Sequence, residues 1–455
     1  MKLPNFGSLF KRGVTNAYNK VFFFGGKFTT NDDADSEKYV KEAYNINTDV
    51  FSIVNQISRK LIAIPYTIKK VDNMKTYKEL KNLRKATRNN PSNIQRMKAM
   101  YLESKSFFQE DFNLPFERPN VSQSWDEFFM LSEDFLNLTG NVYWYKLMPE
   151  EGMNAGKPIQ VYVLPSHYMQ IVLKEKADML SVESPVDYYI MKQHNDYIKF
   201  KQESVVHISV NNPNFGLNGE HLYGQSPLRA AWKNIVASNK GLDLNINTLK
   251  NGGVFGFIHA KGQSLTPDQA VELKDRLKEM NSNPEDLSRL AGASSELGFT
   301  KLSLTADELK PFEYLKYNQK AICNALGWSD ALLNNDDGGK YDKQELELKR
   351  VLLNKVIPDA ELLSEVFTKG VLQHIKGYEK AEFVFDYKDL PELQDDLETL
   401  MKWISVAITE GVITRNEARE VIGMETHSDS NMDIITVKDD VMTLEEAIMP
   451  KEELI

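Results

Sequence analysis

Apolar residues recur over 226–251 as one narrow stripe: Leu228, Trp232, Ile235, Leu242, Ile246 and Leu249, with Asn239 in the single gap. Intervals of three, four and seven follow the turn of an amphipathic helix. The start is marked by Gly224, by Ser226 as a candidate N-cap, and by Pro227 at the first helical position, where a missing N–H costs nothing. Such a helix is roughly 35–40 Å long at 1.5 Å per residue. So narrow a stripe suits a rod packed along one side and wet on the other. A second slim face, Phe312, Leu315, Ile322 and Leu326, predicts a helix over 311–326. Between the two lie an apolar run from Val254 to Ile258, a capped helix from Ser264 carrying Leu273, Leu277 and Met280, and a second run from Phe299 to Leu304. Strand, helix, strand is the expected order, so the pattern predicts an antiparallel helical hairpin with a headpiece at its tip.

The flanking chain divides by the same criteria. Residues 1–36 form an irregular arm, basic at Lys11 and Arg12, aromatic from Phe22 to Phe24 and then acidic; such a segment is expected to be partly disordered by itself. A helical pattern runs from Ser36 to Tyr66 through Val50, Ile53, Val54, Ile57 and Leu61, and basic helices follow at Leu80–Arg88 and Ile94–Phe108. Another helix covers Trp125–Leu138. Strand composition then marks Val142–Leu147, Ile159–Leu164, Tyr168–Leu173, Tyr188–Ile190 and Val205–Val210. Residues 37–225 therefore read as an α+β unit. After the second slim helix (305–327), the stretch 328–341 has the acidic and glycine content of a loop. Over 342–390 the pattern predicts a long helix reaching Ile375, kinked near Pro358, and then a strand from Phe383 to Tyr387. Helices at Leu393–Thr409 and Arg415–Ile422 fill 391–426, the second opened by Thr414 and Glu417 as a capping box. Residues 427–455 make an acidic tail with little capacity to form a core.

Composition narrows the classes. A chain of 455 residues with 42% hydrophobic content can bury more than one core. The single cysteine, Cys323, excludes a disulfide framework and any multi-cysteine metal site. No run approaches the roughly 20 apolar residues that span a bilayer, so a soluble, non-exported chain with no membrane partner is expected. A formal charge of -10 argues against a tight grip on nucleic acid, although a weakly repulsive wall would let DNA slide past.

Catalytic patterns are thin. The run from Gly224 through Ser226 to Leu228 begins like a nucleophile elbow but has Leu where the second Gly belongs. Neither Gly25-Gly26-Lys27 nor Gly339-Lys340 has the Ser or Thr and the upstream Gly of a phosphate-binding loop. The seven histidines never fall three to five apart, so no helical metal pair exists, and no metal or cofactor is expected. His207, between Val206 and Ile208 on a strand, reads as a hydrogen-bonded core residue. Asp336 and Asp337 read as a solvated loop, because an oxygen-ligand site needs more donors at set spacing.

In order along the chain stand Ala43-Tyr44-Asn45, Val50 to Pro65, Pro119-Asn120 through Phe128 to Gly140-Asn141, Leu164-Pro165, Val206-His207-Ile208, Gly224 to Leu228, and Gly411 through Arg419 followed by Gly423. This succession resembles the portal proteins of tailed bacteriophages, the head-to-tail connectors. One departure is Tyr223-Gly224-Gln225 before Ser226-Pro227, where members commonly carry Gly-Leu or Gly-Ile.

The resemblance implies a mainly helical α+β fold. It assigns 37–225 and part of the kinked helix to a wing, 226–251 and 305–327 to a stem, 252–304 to a clip, 328–341 to a tunnel loop and 391–426 to a crown. It further implies a ring of about twelve copies, not an enzyme, at one capsid vertex of the virion after assembly in the host cytoplasm. The implied partners are the terminase large subunit, the major capsid protein, a head–tail adaptor and double-stranded DNA passing without sequence preference. Expected near DNA are Asn334, Asn335, Asp336, Asp337 and Lys340; expected to face the terminase are Asp268, Lys274, Arg276 and Lys278. The remaining classes are another virion ring protein, such as an adaptor or baseplate component, and a cytoplasmic enzyme with an unrecognised site.

Overall fold

The computed structural model describes residues 33–87, 93–112, 114–174, 184–193, 196–214, 220–250, 256–260, 266–268, 271, 275, 297–301, 311–333, 341–387, 390–393, 397–421, 424, 426–437 and 442–443. In chain order its elements are helix α1 (Asp33–Lys38), a π-helical turn (Tyr39–Tyr44), α2 (Thr48–Ile62), β1 (Tyr66–Val71), α3 (Met74–Thr87), α4 (Asn93–Ser106), β2 (Phe107–Phe112), α5 (Trp125–Thr139) and β3 (Asn141–Leu147). Strands β4 (Gln160–Leu164), β5 (Met169–Leu173), β6 (Val186–Gln193), β7 (Asp196–Lys201) and β8 (Val205–Ser209) follow. Then come α6 (Pro227–Lys250), β9 (Gly256–Ala260), β10 (Leu297–Lys301), α7 (Pro311–Leu326), α8 (Tyr341–Val351), a π-helical turn (Leu352–Val356), α9 (Ile357–Gly370), β11 (Ala381–Phe385), α10 (Leu397–Thr409), α11 (Arg415–Val421), β12 (Thr436–Val437) and β13 (Met442–Thr443). The fold is α+β and mainly helical.

Contacts divide the chain into two compact units, one of residues 1–63, 116–347 and 354–359, the other of 64–115, 348–353 and 360–455. In the first, α5 is the central helix. A full capping box at Ser124 and Glu127 starts it, and Gly140, in the left-handed region at φ 73°, ends it. Its aromatic face, Trp125, Phe128 and Phe129, is buried, and Phe128 packs on Trp144 of β3 at 5.3 Å between ring centres. Each such side chain contributes roughly 1.5–3 kcal/mol by leaving water. The antiparallel sheets β4-β3-β8 and β5-β6-β7 share a core that includes Tyr143, Ile171, Tyr189 and Tyr223. Helix α2 buries Val50, Ile53, Val54, Ile57 and Leu61, and Ser58 of α2 hydrogen-bonds Asp134 of α5. In the second unit the antiparallel sheet β11-β1-β2 carries Phe383, buried between Phe367 and Tyr66. Lys69 of that sheet pairs with Glu103 and Asp386. Ile404, Ala407, Ile413 and Ala418 form a small separate cluster.

Several expectations need correcting. The single helix over Ser36–Tyr66 is interrupted at 45–47, because Asn47 takes an extended backbone and restarts the helix by accepting from Val50 N. Tyr66–Val71 is a strand, and so is Phe107–Phe112, whose first two residues the sequence pattern assigns to a helix. The long helix ends at Gly370 rather than Ile375. Its irregularity lies at Leu352–Val356, just before Pro358, whose ring crowds the carbonyl four residues back and donates no bond. The tail is less featureless than its charge suggests: Asn416 Nδ2 donates to His427 O and Asp433 Oδ1, and β12 pairs with β13. The Thr414 and Glu417 capping box forms as its spacing requires, with bonds of 3.1 and 2.8 Å.

Candidate functional site: a helix pair and its anchor

Three sequence motifs far apart in the chain meet at the foot of α6: Gly140-Asn141, Val206-His207-Ile208 and Gly224 to Leu228. Asn141, directly after the glycine that ends α5, is their centre. Its Oδ1 accepts from Gly224 N (2.6 Å) and from His207 Nε2 (3.0 Å), while its Nδ2 donates to Thr139 O (2.9 Å) and Gly224 O (3.1 Å). Every bonding site of this buried amide is used, as burial of a polar group demands. Val210 N donates to Gly140 O at 2.9 Å, so two backbones run in contact here. A Cβ on Gly224 would stand 1.9 Å from Gly140 O and 2.6 Å from Val210 N. Glycine at 224 is thus required by close approach rather than by a turn. Ser226 then accepts from Leu228 N (3.1 Å) as the N-cap and donates to Leu138 O (2.6 Å), tying the new helix to the end of α5. Tyr223, at the position where the sequence departs from the common pattern, is buried and its hydroxyl accepts from Ile171 N.

His207 completes the anchor. Its ring stacks on Tyr143 at 4.3 Å and 10° between planes. Burial pushes its imidazole down to about 3, so the neutral ring donates through Nε2 to Asn141. It is a structural donor, in keeping with its reading as a core residue.

Above the anchor, α6 and α7 lie against each other. Asn234 Nδ2 donates to Asn318 Oδ1 across the pair (3.1 Å), and Gly241 opposes Leu315. Asn47 Nδ2 reaches Asn239 Oδ1 (2.9 Å), and Gln319 Nε2 reaches Asp49 Oδ1 (2.8 Å). Polar rungs of this kind fix helix register, since a slip would leave buried amides unpaired. Asn239, read from the sequence as a gap in a stripe, is one of these rungs. Its partner Asn47 gave no signal beyond its residue type.

The stripe itself is uneven. Leu228 and Ile235 are buried and Trp232 meets Tyr39 edge-on, but Leu242 and Ile246 are 42% and 49% exposed. Ile322 is buried and Leu315 half-buried, while Tyr314 and Tyr317 are exposed. The side chains of Leu249 and Phe312 lie outside the description. The rod is therefore dry near its anchor and open at Leu242 and Ile246, rather than alike along its length.

Other candidates are less defined. Strands β9 and β10 pair antiparallel, and Asp268 is exposed. Lys274, Arg276 and Lys278 lie outside the described residues, as do all five loop residues Asn334, Asn335, Asp336, Asp337 and Lys340. Among the described residues no group of three or more His, Cys, Asp or Glu could hold a metal, and no helix is long and apolar enough to cross a membrane. The thiol of Cys323 is buried and pushed up to about 12 by burial and by Asp330 and Asp49.

A family model described as phage portal protein matches residues 85–423. The portal protein of Escherichia phage T5 is 25% identical over 277 residues, which cover 57% of this chain and 62% of the T5 protein. Among solved structures, a chain from the neck of an empty gene transfer agent particle, computed with C6 symmetry, superposes with a TM-score of 0.55 at 17% identity, over 86% of this chain and 94% of that one. A chain from the neck of the native particle, computed with C12 symmetry, gives 0.52 at 18% identity, over 88% and 95%. At this identity the two neck chains share the fold with this protein.

Proposed function

Because the chain belongs to the phage portal protein family, we propose that it builds the ring-shaped DNA channel at one vertex of a capsid, through which the genome is packaged and later ejected. The observation that carries this reading is the uncovered face of α6 at Leu242 and Ile246. Leu242 and Ile246 continue the stripe that Leu228 and Ile235 bury, and a neighbouring copy supplies the missing cover. A repeated head-to-tail contact closes into a ring. About twelve copies is the number favoured by the C12 symmetry of the related neck structure. Such a ring carries about -120 formal charges, a lining over which DNA slides rather than sticks.

In this reading residues 37–225 and part of 342–390 serve as the wing, α6 and α7 as the stem, 252–304 as the clip and 391–426 as the crown. Asn334, Asn335, Asp336, Asp337 and Lys340 stand nearest the DNA. The clip, through Asp268, Lys274, Arg276 and Lys278, meets the terminase large subunit, while other surfaces meet the major capsid protein and a head–tail adaptor. The role is mechanical, with no catalytic step, and the protein resides in the virion after assembling in the host cytoplasm. Negative-stain imaging with mass measurement of the purified full chain tests this. Rings with a central hole are expected; a stable monomer at micromolar concentration, with Leu242 and Ile246 left in water, refutes it.

A further inference from the structure

Glu133 lies on α5 with its side chain fully buried. Asn137 Nδ2 donates to its Oε1 at 2.7 Å, while its Oε2 has no protein donor. The groups that face it come from the chain around the second π-helical turn: Asp359, a hydrogen-bonding neighbour, and Lys355, whose Nζ stands 2.8 Å from Asp359 Oδ2. On α2, Ser58 is taken up by Asp134, and on β3, Trp144 Nε1 is taken up by Ser132. Two carboxyl groups thus share one ammonium in a buried place. Both cannot be charged at small cost, so one keeps its proton. Burial first, and then the charge of Asp359, hold it on Glu133. A protonated Oε2 donates to Asp359, which pairs the orphaned oxygen.

The node touches three elements. Glu133 belongs to α5, and Lys355 lies within the turn Leu352–Val356. The stem of Lys355 also packs under Gly327, just past the end of α7, where a Cβ would stand 3.4 Å from Lys355 Cδ. A π-helical turn is a strained register that lasts only where its surroundings hold it. Leu352 and Val356 are buried, and the charged residue of the turn is fastened through Asp359 to Glu133.

We propose that the carboxylic acid of Glu133 is a latch that holds the π-helical turn Leu352–Val356 through Asp359 and Lys355, and that loss of its proton releases the turn. This inference stands apart from the portal reading.

The sign follows from proton linkage. An acid that binds its proton more tightly when folded stabilises the fold fully below its unfolded value, and that contribution is lost as the pH rises toward the folded value. The test is hydrogen–deuterium exchange of the full-length protein from pH 5.5 to 9, corrected for intrinsic chemistry, on peptides covering 352–359. Protection there is expected to fall by about tenfold per pH unit while one proton is at stake. In Glu133→Gln the amide still donates to Asp359 but cannot ionise, so protection is expected to stay flat. Asp359→Asn gives a second, independent variant: Glu133 then loses the neighbouring charge but keeps its burial, and the fall in protection is expected to end at a lower pH than in the unaltered protein. Flat protection in the unaltered protein, an unchanged profile in whichever variants fold, or the same slope in peptides from β5 to β7 would each overturn the latch.

Discussion

Replacement of Gly224 by alanine tests the anchor directly. The added Cβ would meet Gly140 O at 1.9 Å and Val210 N at 2.6 Å, both backbone atoms that no rotamer change can clear. Ordinary contact lies near 3.5 Å, so the two segments must part by on the order of 1.5 Å. That movement breaks Gly224 N to Asn141, Asn141 to Gly224 O, and Val210 N to Gly140 O. Buried hydrogen bonds lost without replacement cost about 1–3 kcal/mol each, and overpacking adds a similar amount. A total of roughly 4–12 kcal/mol is expected. Gly241→Ala is the matched control: its new methyl would lie 3.7 Å from Leu315 Cδ2, and alanine is favoured within a helix by roughly 0.5–1 kcal/mol. Urea unfolding followed by tryptophan fluorescence should therefore show a midpoint far lower for Gly224→Ala and unchanged or higher for Gly241→Ala. The steric reasoning fails if Gly224→Ala unfolds within about 1 kcal/mol of the parent, or if the two variants are equally damaging.

Further outcomes follow from the same geometry. Asn141→Asp removes two donors and sets a carboxylate against Thr139 O and Gly224 O, for an expected loss of about 3 kcal/mol or more, read from the same unfolding curves. His207 is held neutral down to about 3, so its contribution is complete above the unfolded value near 6.5 and drains away as the pH falls toward 3. His207→Gln should flatten this acid limb, which amounts to about 2–4 kcal/mol because the ring is partly open to solvent; an unchanged limb would contradict the assignment. Leu242→Asp alters an exposed position, so the monomer should unfold within about 0.5 kcal/mol of the parent while rings fail to form in native mass spectra. Intact rings of that variant would show that α6 is not covered by a neighbour.

Local chemistry is what the chain order could reveal. The helix Pro227–Lys250, its N-cap at Ser226, and the capping box at Thr414 and Glu417 are contacts within a few residues, and their signals sit side by side in the sequence. Strands β3 and β4, rich in aromatic and β-branched residues, were legible for the same reason. Tyr66–Val71 was not, since Lys69 and Lys70 mask its alternation and its partner β11 lies about 300 residues away. The motifs that carry the resemblance could be ordered along the chain but not joined.

Only the folded chain shows that Gly140, Asn141, His207 and Gly224 make one bonded cluster, because their contacts depend on two backbones meeting across the ends of separate elements. Glu133 makes the same point: on a helix face it is an unremarkable acid, and its burial beside Lys355 and Asp359 is decided by packing. Period and caps set which segments are helix or strand; where a polar group loses its water is a property of the neighbours that tertiary structure assembles.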